Sequence, residues 1–115
     1  MIPFLPSTKV FLVRGPTDMR KSFDTLAAIV SQEIQLDPLS GYLFVFCNAR
    51  RDRLKILFWD RGGFWVCAKR LERGTFSWPD INSDYVELSG VELSLLLSGY
   101  EAGEIKRRRW YERAS

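Results

Sequence analysis

Apolar and polar positions change their period several times along the chain, and each change marks an element. Lys9 to Arg14 is a short run of β-branched and apolar residues ended by Gly15-Pro16, which predicts a strand. Beyond it Met19, Phe23, Leu26, Ala27, Val30 and Ile34 recur at the three- and four-residue spacing of one buried helix face. Thr17 or Asp18 is placed to cap that helix. Asp37-Pro38 and Ser40-Gly41 read as a turn. Tyr42 to Cys47 is almost wholly apolar, the signature of a central strand, and Arg53 to Trp59 and Phe64 to Leu71 are two further strands. Between these two, Asp60-Arg61-Gly62-Gly63 is a strong hairpin signal. Gly74 to Trp78 offers a short extended piece before Pro79, and Tyr85 to Leu88 an edge strand. Ser89 and Glu92 have capping-box spacing and open a helix carrying Leu93, Leu96 and Leu97, stopped at Gly99. The order is β-α-β-β-β-(β)-α. This is an α+β domain with a mostly antiparallel sheet of four to five strands and two helices.

Strand alternation sorts the hairpin into two faces. With Trp59 opposite Phe64, one face carries Arg53, Lys55, Leu57, Trp59, Phe64, Val66, Ala68 and Arg70. The other carries Leu54, Ile56, Phe58, Trp65, Cys67 and Lys69, and reads as core. The first is mixed, basic at one end and aromatic at the other. Bases beside aromatics on a sheet suit phosphates and stacked bases; a simply solvated face is the plainer reading. Which side of the sheet the second helix covers is left open.

At 115 residues, 46% hydrophobic and 27% charged, the chain has the composition of one globular domain. We expect that domain over residues 1–103 and a basic tail over 104–115. No apolar run approaches the roughly 18 residues that span a bilayer, and no signal layout opens the chain, so a cytoplasmic location is expected. The absence of histidine removes His-based acid–base relays and His-bearing zinc sites. Cys47 and Cys67 are isolated within apolar runs and read as small buried hydrophobes. No phosphate-loop or dinucleotide glycine pattern occurs. No enzyme activity, cofactor, metal or small-molecule substrate is expected.

The net charge of +3 conceals a strong partition. Residues 50–73 hold Arg50, Arg51, Arg53, Lys55, Arg61, Lys69, Arg70 and Arg73 against three acids, a local +5. Residues 74–100 hold Asp80, Asp84, Glu87 and Glu92 and no base, a local −4. The tail adds Lys106, Arg107, Arg108 and Arg109 beside Trp110 and Tyr111. Such a field attracts polyanions or acidic protein surfaces without specifying a sequence.

Several longer strings are distinctive: GPTDMRKSFD from Gly15, DPLSGYLFVF from Asp37, RRDRLKILFWD from Arg50, and KRLERGTFSWP from Lys69. Together, over residues 8 to 100, they resemble the small accessory protein, often labelled TnpB, of the insertion-sequence-66 family of bacterial transposable elements. The resemblance implies a helper in transposition beside a separate, larger transposase. It does not imply the activity of the much larger RNA-guided nuclease that shares the label, and it supplies no catalytic site. Asp18, Arg20 and Lys21 are motif residues of unassigned role. On a helix's first turn Arg20 and Lys21 would oppose its dipole. That misfit predicts a partner, an internal one in Asp18 or Asp24 or an external phosphate.

The expected function is that of a non-catalytic accessory protein binding DNA, such as the element ends. Arg50, Arg51, Arg53, Lys55, Lys69 and Arg70 would make the contact with Trp59 and Phe64, joined by Lys106 to Arg109. The alternative is a protein–protein adaptor holding the transposase or a second copy of itself. A metal-dependent nuclease would need carboxylates gathered in space, and no acidic spacing has that signature.

Overall fold

Alternation along the strands is satisfied on both sides of a single sheet. A computed structural model of the chain describes residues 8–99; the tail with Lys106 to Arg109 lies outside them. Five strands, β1 (Val10–Val13), β2 (Leu43–Cys47), β3 (Arg53–Asp60), β4 (Gly63–Arg70) and β5 (Tyr85–Leu88), lie in the order β4-β3-β2-β1-β5. Among the described residues only the β1–β2 pair is parallel. Two helices, α1 (Phe23–Ala28) and α2 (Gly90–Ser98), complete an α+β fold. β1 and β2 are buried at every position, as expected for central strands covered on both faces.

The two faces pack against different partners. Val10, Leu12, Val45, Leu54, Ile56 and Phe58 meet Phe76, Trp78 and the α2 residues Leu93 and Leu96. Phe11, Val13, Phe44, Phe46 and Leu57 meet Leu26, Ile29, Val30 and Ile34 from α1 and its continuation. The helices therefore lie on opposite sides of the sheet. The face read as mixed is a second core over much of its length, and Leu57 is fully buried there. Conversely Trp65, placed on the core face, is 53% exposed because β4 is an edge strand.

The first helix begins later than the spacing predicted. Ser22 is its N-cap, and the Ser22 N–H donates to the Thr25 hydroxyl at 2.9 Å. Thr17 to Lys21 instead form a turn: the Asp18 carboxylate accepts the Arg20 N–H at 2.9 Å, and the Asp18 carbonyl accepts the Lys21 N–H at 3.1 Å. An aspartate that bonds the backbone two residues on favours such turns over helix, so Met19 sits outside α1. After Ala28 the helix widens to π geometry over Ile29–Glu33, the Ile34 N–H reaching the Ile29 carbonyl at 3.1 Å. α2 has the capping box, with Ser89 Oγ accepting the Glu92 N–H at 3.1 Å and Glu92 Oε1 accepting the Ser89 N–H at 2.9 Å. At the hairpin tip both Arg61 (φ 47°) and Gly62 (φ 89°) are left-handed, the pattern of a two-residue turn that matches strand twist. Trp59 pairs with Phe64 as expected. Both cysteines are free thiols. No helix of the described residues is long and apolar enough to cross a membrane.

Candidate functional site

The two strings around Gly15 and Arg50 are far apart in sequence and meet at one end of the sheet. Gly15 brings the first of them close to β2. A Cβ on Gly15 would stand 3.2 Å from the Cys47 carbonyl oxygen, and the same oxygen accepts the Thr17 N–H at 2.8 Å. The second string forms the turn from β2 into β3, organised by Asn48. Asn48 Oδ1 accepts the N–H groups of Asp52 and Arg53, both at 3.1 Å, and Nδ2 donates to Asp52 Oδ1 at 2.7 Å. Asn48 was not singled out from the sequence. The available signal was an asparagine at the end of an apolar strand, where its amide readily closes a turn.

Between the two turns runs a groove of about 600 Å³, lined by residues 16–20, 48–50, 52 and 53. A second groove of about 440 Å³ adjoins it, sharing Met19 and Arg53 and adding Lys55, Lys69, Arg70 and Glu72. Their bases are Arg20, Arg50, Arg53, Lys55, Lys69 and Arg70, and their acids Asp18, Asp52 and Glu72.

The acids are already engaged. Asp18 takes a 2.7 Å ion pair and further hydrogen bonds from Arg20, which hold its carboxyl down from 3.8 to about 2. This is the internal partner expected for Arg20, although the reason differs, since Arg20 and Lys21 precede the helix and do not oppose its dipole. The Asn48 amide likewise keeps Asp52 below the usual carboxylate value, and Glu72 bonds Arg70 at 2.9 Å. A group whose folded pKa is depressed stabilises above its unfolded value and loses that contribution as pH falls through the folded one. We therefore expect the Asp18 carboxyl resonance to titrate near 2, and to move back towards 3.8 in Arg20→Ala. NMR titration checks this, and an unchanged midpoint would show that the ion pair does not set it.

The bases divide into two groups. Lys55 Nζ donates to the Lys21 carbonyl at 2.8 Å, fastening the 17–21 turn to the sheet. Lys69, on the opposite face, donates to the Leu97 carbonyl at 2.6 Å and caps α2. Arg51, left-handed at φ 60°, turns towards the 76–78 segment, where its Nη1 is 3.4 Å from the Trp78 carbonyl. Arg50 and Arg53 have no such engagement among the described residues. Arg53 lies directly opposite Arg70. Because the Leu71 N–H bonds the Asp52 carbonyl at 2.8 Å, the neighbouring Arg53–Arg70 pair is of the non-hydrogen-bonded kind, in which side chains come closest. Two like charges there repel. Trp59 and Phe64 pair edge to face, with centroids 5.0 Å apart. They stand at the other end of the hairpin, roughly 20 Å from Arg53 at strand rise, and Phe64 packs on the α1 core. The structure thus gathers Asp18, Arg20, Arg50, Arg53 and Arg70, and separates them from the aromatic pair. No group of three or more potential metal ligands occurs among the described residues.

Comparison with known proteins assigns the chain to a family. Residues 8–107 match the family described as IS66 Orf2 like protein. The chain is 39% identical over 101 residues to the uncharacterized protein y4hO of Sinorhizobium fredii (strain NBRC 101917 / NGR234), covering 88% of each chain. It is 33% identical over 100 residues to the uncharacterized protein y4jC of the same strain, covering 87% of this chain and 86% of the relative. No solved structure matches. The strings that build the groove lie within the matched span, and the chain belongs to the IS66 Orf2 like family, accessory proteins of an insertion sequence.

Proposed function

We propose that this accessory protein assists transposition by binding DNA, with its two adjoining grooves seated on the phosphate backbone. One observation carries the reading. Arg53 and Arg70 are held side by side on paired strands, with Arg50 lining the same groove as Arg53, while the nearby carboxylates are taken up by Arg20, Asn48 and Arg70. Arg70 thus keeps a carboxylate on one side and a like charge on the other. A phosphate between the two guanidiniums removes the repulsion and accepts bidentate, charge-assisted hydrogen bonds. Contacts of this kind position a protein on DNA without reading its sequence. Of the expected contact residues, the grooves favour Arg50, Arg53 and Arg70, and Lys55 and Lys69 act as fasteners of the fold. Trp59 and Phe64 are too far along the hairpin to stack a base against the same phosphate.

Fluorescence anisotropy with labelled duplex DNA tests the proposal. Three arginine–phosphate contacts should give log K falling against log salt with a slope of about −3. A well-folded protein that binds no DNA, or binds it with no salt dependence, would overturn the reading and favour an adaptor that touches the transposase alone.

A further inference from the structure

The sheet ends on two unlike edges. β5 is four residues long and exposes Glu87, the kind of short, charged edge that discourages further pairing. β4 runs for eight residues, and its first six, GFWVCA, contain neither charge nor proline. Among the described residues nothing extends the sheet beyond it.

Pairing with β3 fixes which peptide groups of β4 face outward. From the Leu71–Asp52 hydrogen bond, alternation directs the peptides of Lys69, Cys67 and Trp65 towards β3. Those of Phe64, Val66, Ala68 and Arg70 point away from it. The side chains are arranged along the strand with aromatics at its start and bases at its end. Laid antiparallel on itself, such a strand brings each half against the other.

We infer that β4 pairs with β4 of a second copy of this chain, centred on Cys67, to join two sheets into one. In that register Phe64 faces Arg70 of the second copy, Trp65 faces its Lys69, and Val66 faces its Ala68. Each ring meets a base or its aliphatic stem, and no two like charges are opposed. Trp65, 53% exposed in the single chain, is covered. Centring on Val66 instead would set Lys69 against glycine and forfeit the ring contacts. The two-fold axis is perpendicular to the sheet, so both α1 faces lie on one side. If the groove binds phosphate as proposed above, the dimer presents two Arg53–Arg70 pairs on one surface, roughly 20 Å apart along the strands. The pairing itself does not depend on that reading.

Sedimentation of the full chain, without DNA, tests the pairing. The expected mass is twice 13.4 kDa. Ala68→Pro removes an outward N–H that the β3–β4 ladder does not use, a position where an edge strand accepts proline; it should sediment as a monomer with an unchanged circular dichroism spectrum. Copper–phenanthroline should cross-link the dimer. The two Cys67 thiols give two protons and two electrons to the added oxidant and form one S–S bond, since opposed non-hydrogen-bonded positions lie within disulfide reach. The cross-link should persist in Cys47→Ser and vanish in Cys67→Ser. A monomeric wild-type chain, or a dimer that survives Ala68→Pro and forms no Cys67 cross-link, overturns the inference. Loss of the dimer in Ala68→Pro without any cross-link in the wild type overturns the Cys67-centred register. A monomer that still binds DNA overturns the pairing alone and leaves the groove reading intact.

Discussion

Replacing Arg50, Arg53 and Arg70 together by glutamate is expected to abolish DNA binding, the largest functional effect the structure predicts. Each substitution removes a phosphate contact with its counterion release and sets a carboxylate against the backbone instead. Anisotropy should show affinity falling by roughly 100-fold or more, with the residual salt slope reduced by about 3. The fold should be retained, because these side chains are exposed and none holds a backbone carbonyl. Arg61→Glu at the hairpin tip is the matched control. Arg61 is exposed, lies outside both grooves and should alter binding little. The single substitution Arg53→Glu sharpens the test. It turns a repulsive cross-strand pair with Arg70 into an attractive one, so melting temperature should rise slightly while DNA affinity falls. Equal affinity in the triple variant and the wild type would show that the grooves are not the contact surface.

Leu57→Ala should produce the largest loss of stability. Leu57 is fully buried between Phe44 on β2 and Val66 on β4, within the core under α1. Truncating such a leucine costs about 2–5 kcal/mol, a large part of the roughly 5–15 kcal/mol that holds a domain folded. Urea denaturation should show a midpoint well below that of the wild type, at similar slope. If this face of the sheet were merely solvated, the cost would be within about 0.5 kcal/mol. The measurement therefore decides whether the hairpin has one core face or two.

Much of the strand framework was legible along the chain. β1 and β2 are short uninterrupted apolar runs flanked by turn residues, and that length and setting fit strands covered on both faces. Asp60 to Gly63 marked the hairpin because two consecutive left-handed residues need glycine or a tolerant neighbour. Taking Trp59 opposite Phe64 across that turn gives the register the two strands adopt. Ser89 and Glu92 located α2 because a capping box is a contact between near neighbours. The start of α1 was misplaced for a related reason. Asp18 carries the right chemistry for a cap, but it spends that chemistry on Arg20 and a turn, and apolar spacing alone does not register the competition.

The candidate site was legible only as a charge cluster. Arg50, Arg53 and Arg70 look no different in sequence from Arg51, Lys55 and Lys69. What separates them is where each cation ends: Lys55 on the carbonyl of Lys21, 34 residues away, and Lys69 on that of Leu97, 28 residues away. Asn48 escaped notice because its work is done on Asp52 and Arg53 through a turn that exists only once β2 and β3 pair.

Local periodicity and turn chemistry by themselves determined the strands, the hairpin register, the second helix and the partition of charge, because each is settled by residues a few positions apart. Tertiary structure alone decided that the two helices cover opposite faces, that Leu57 is core while Trp65 is exposed, and that β4 is an edge strand among the described residues. It also decided that Lys55 and Lys69 end on backbone carbonyls of distant segments. Those outcomes depend on which distant carbonyl or apolar surface a side chain reaches first, and burial and hydrogen bonding between remote segments are set only when the sheet closes its order.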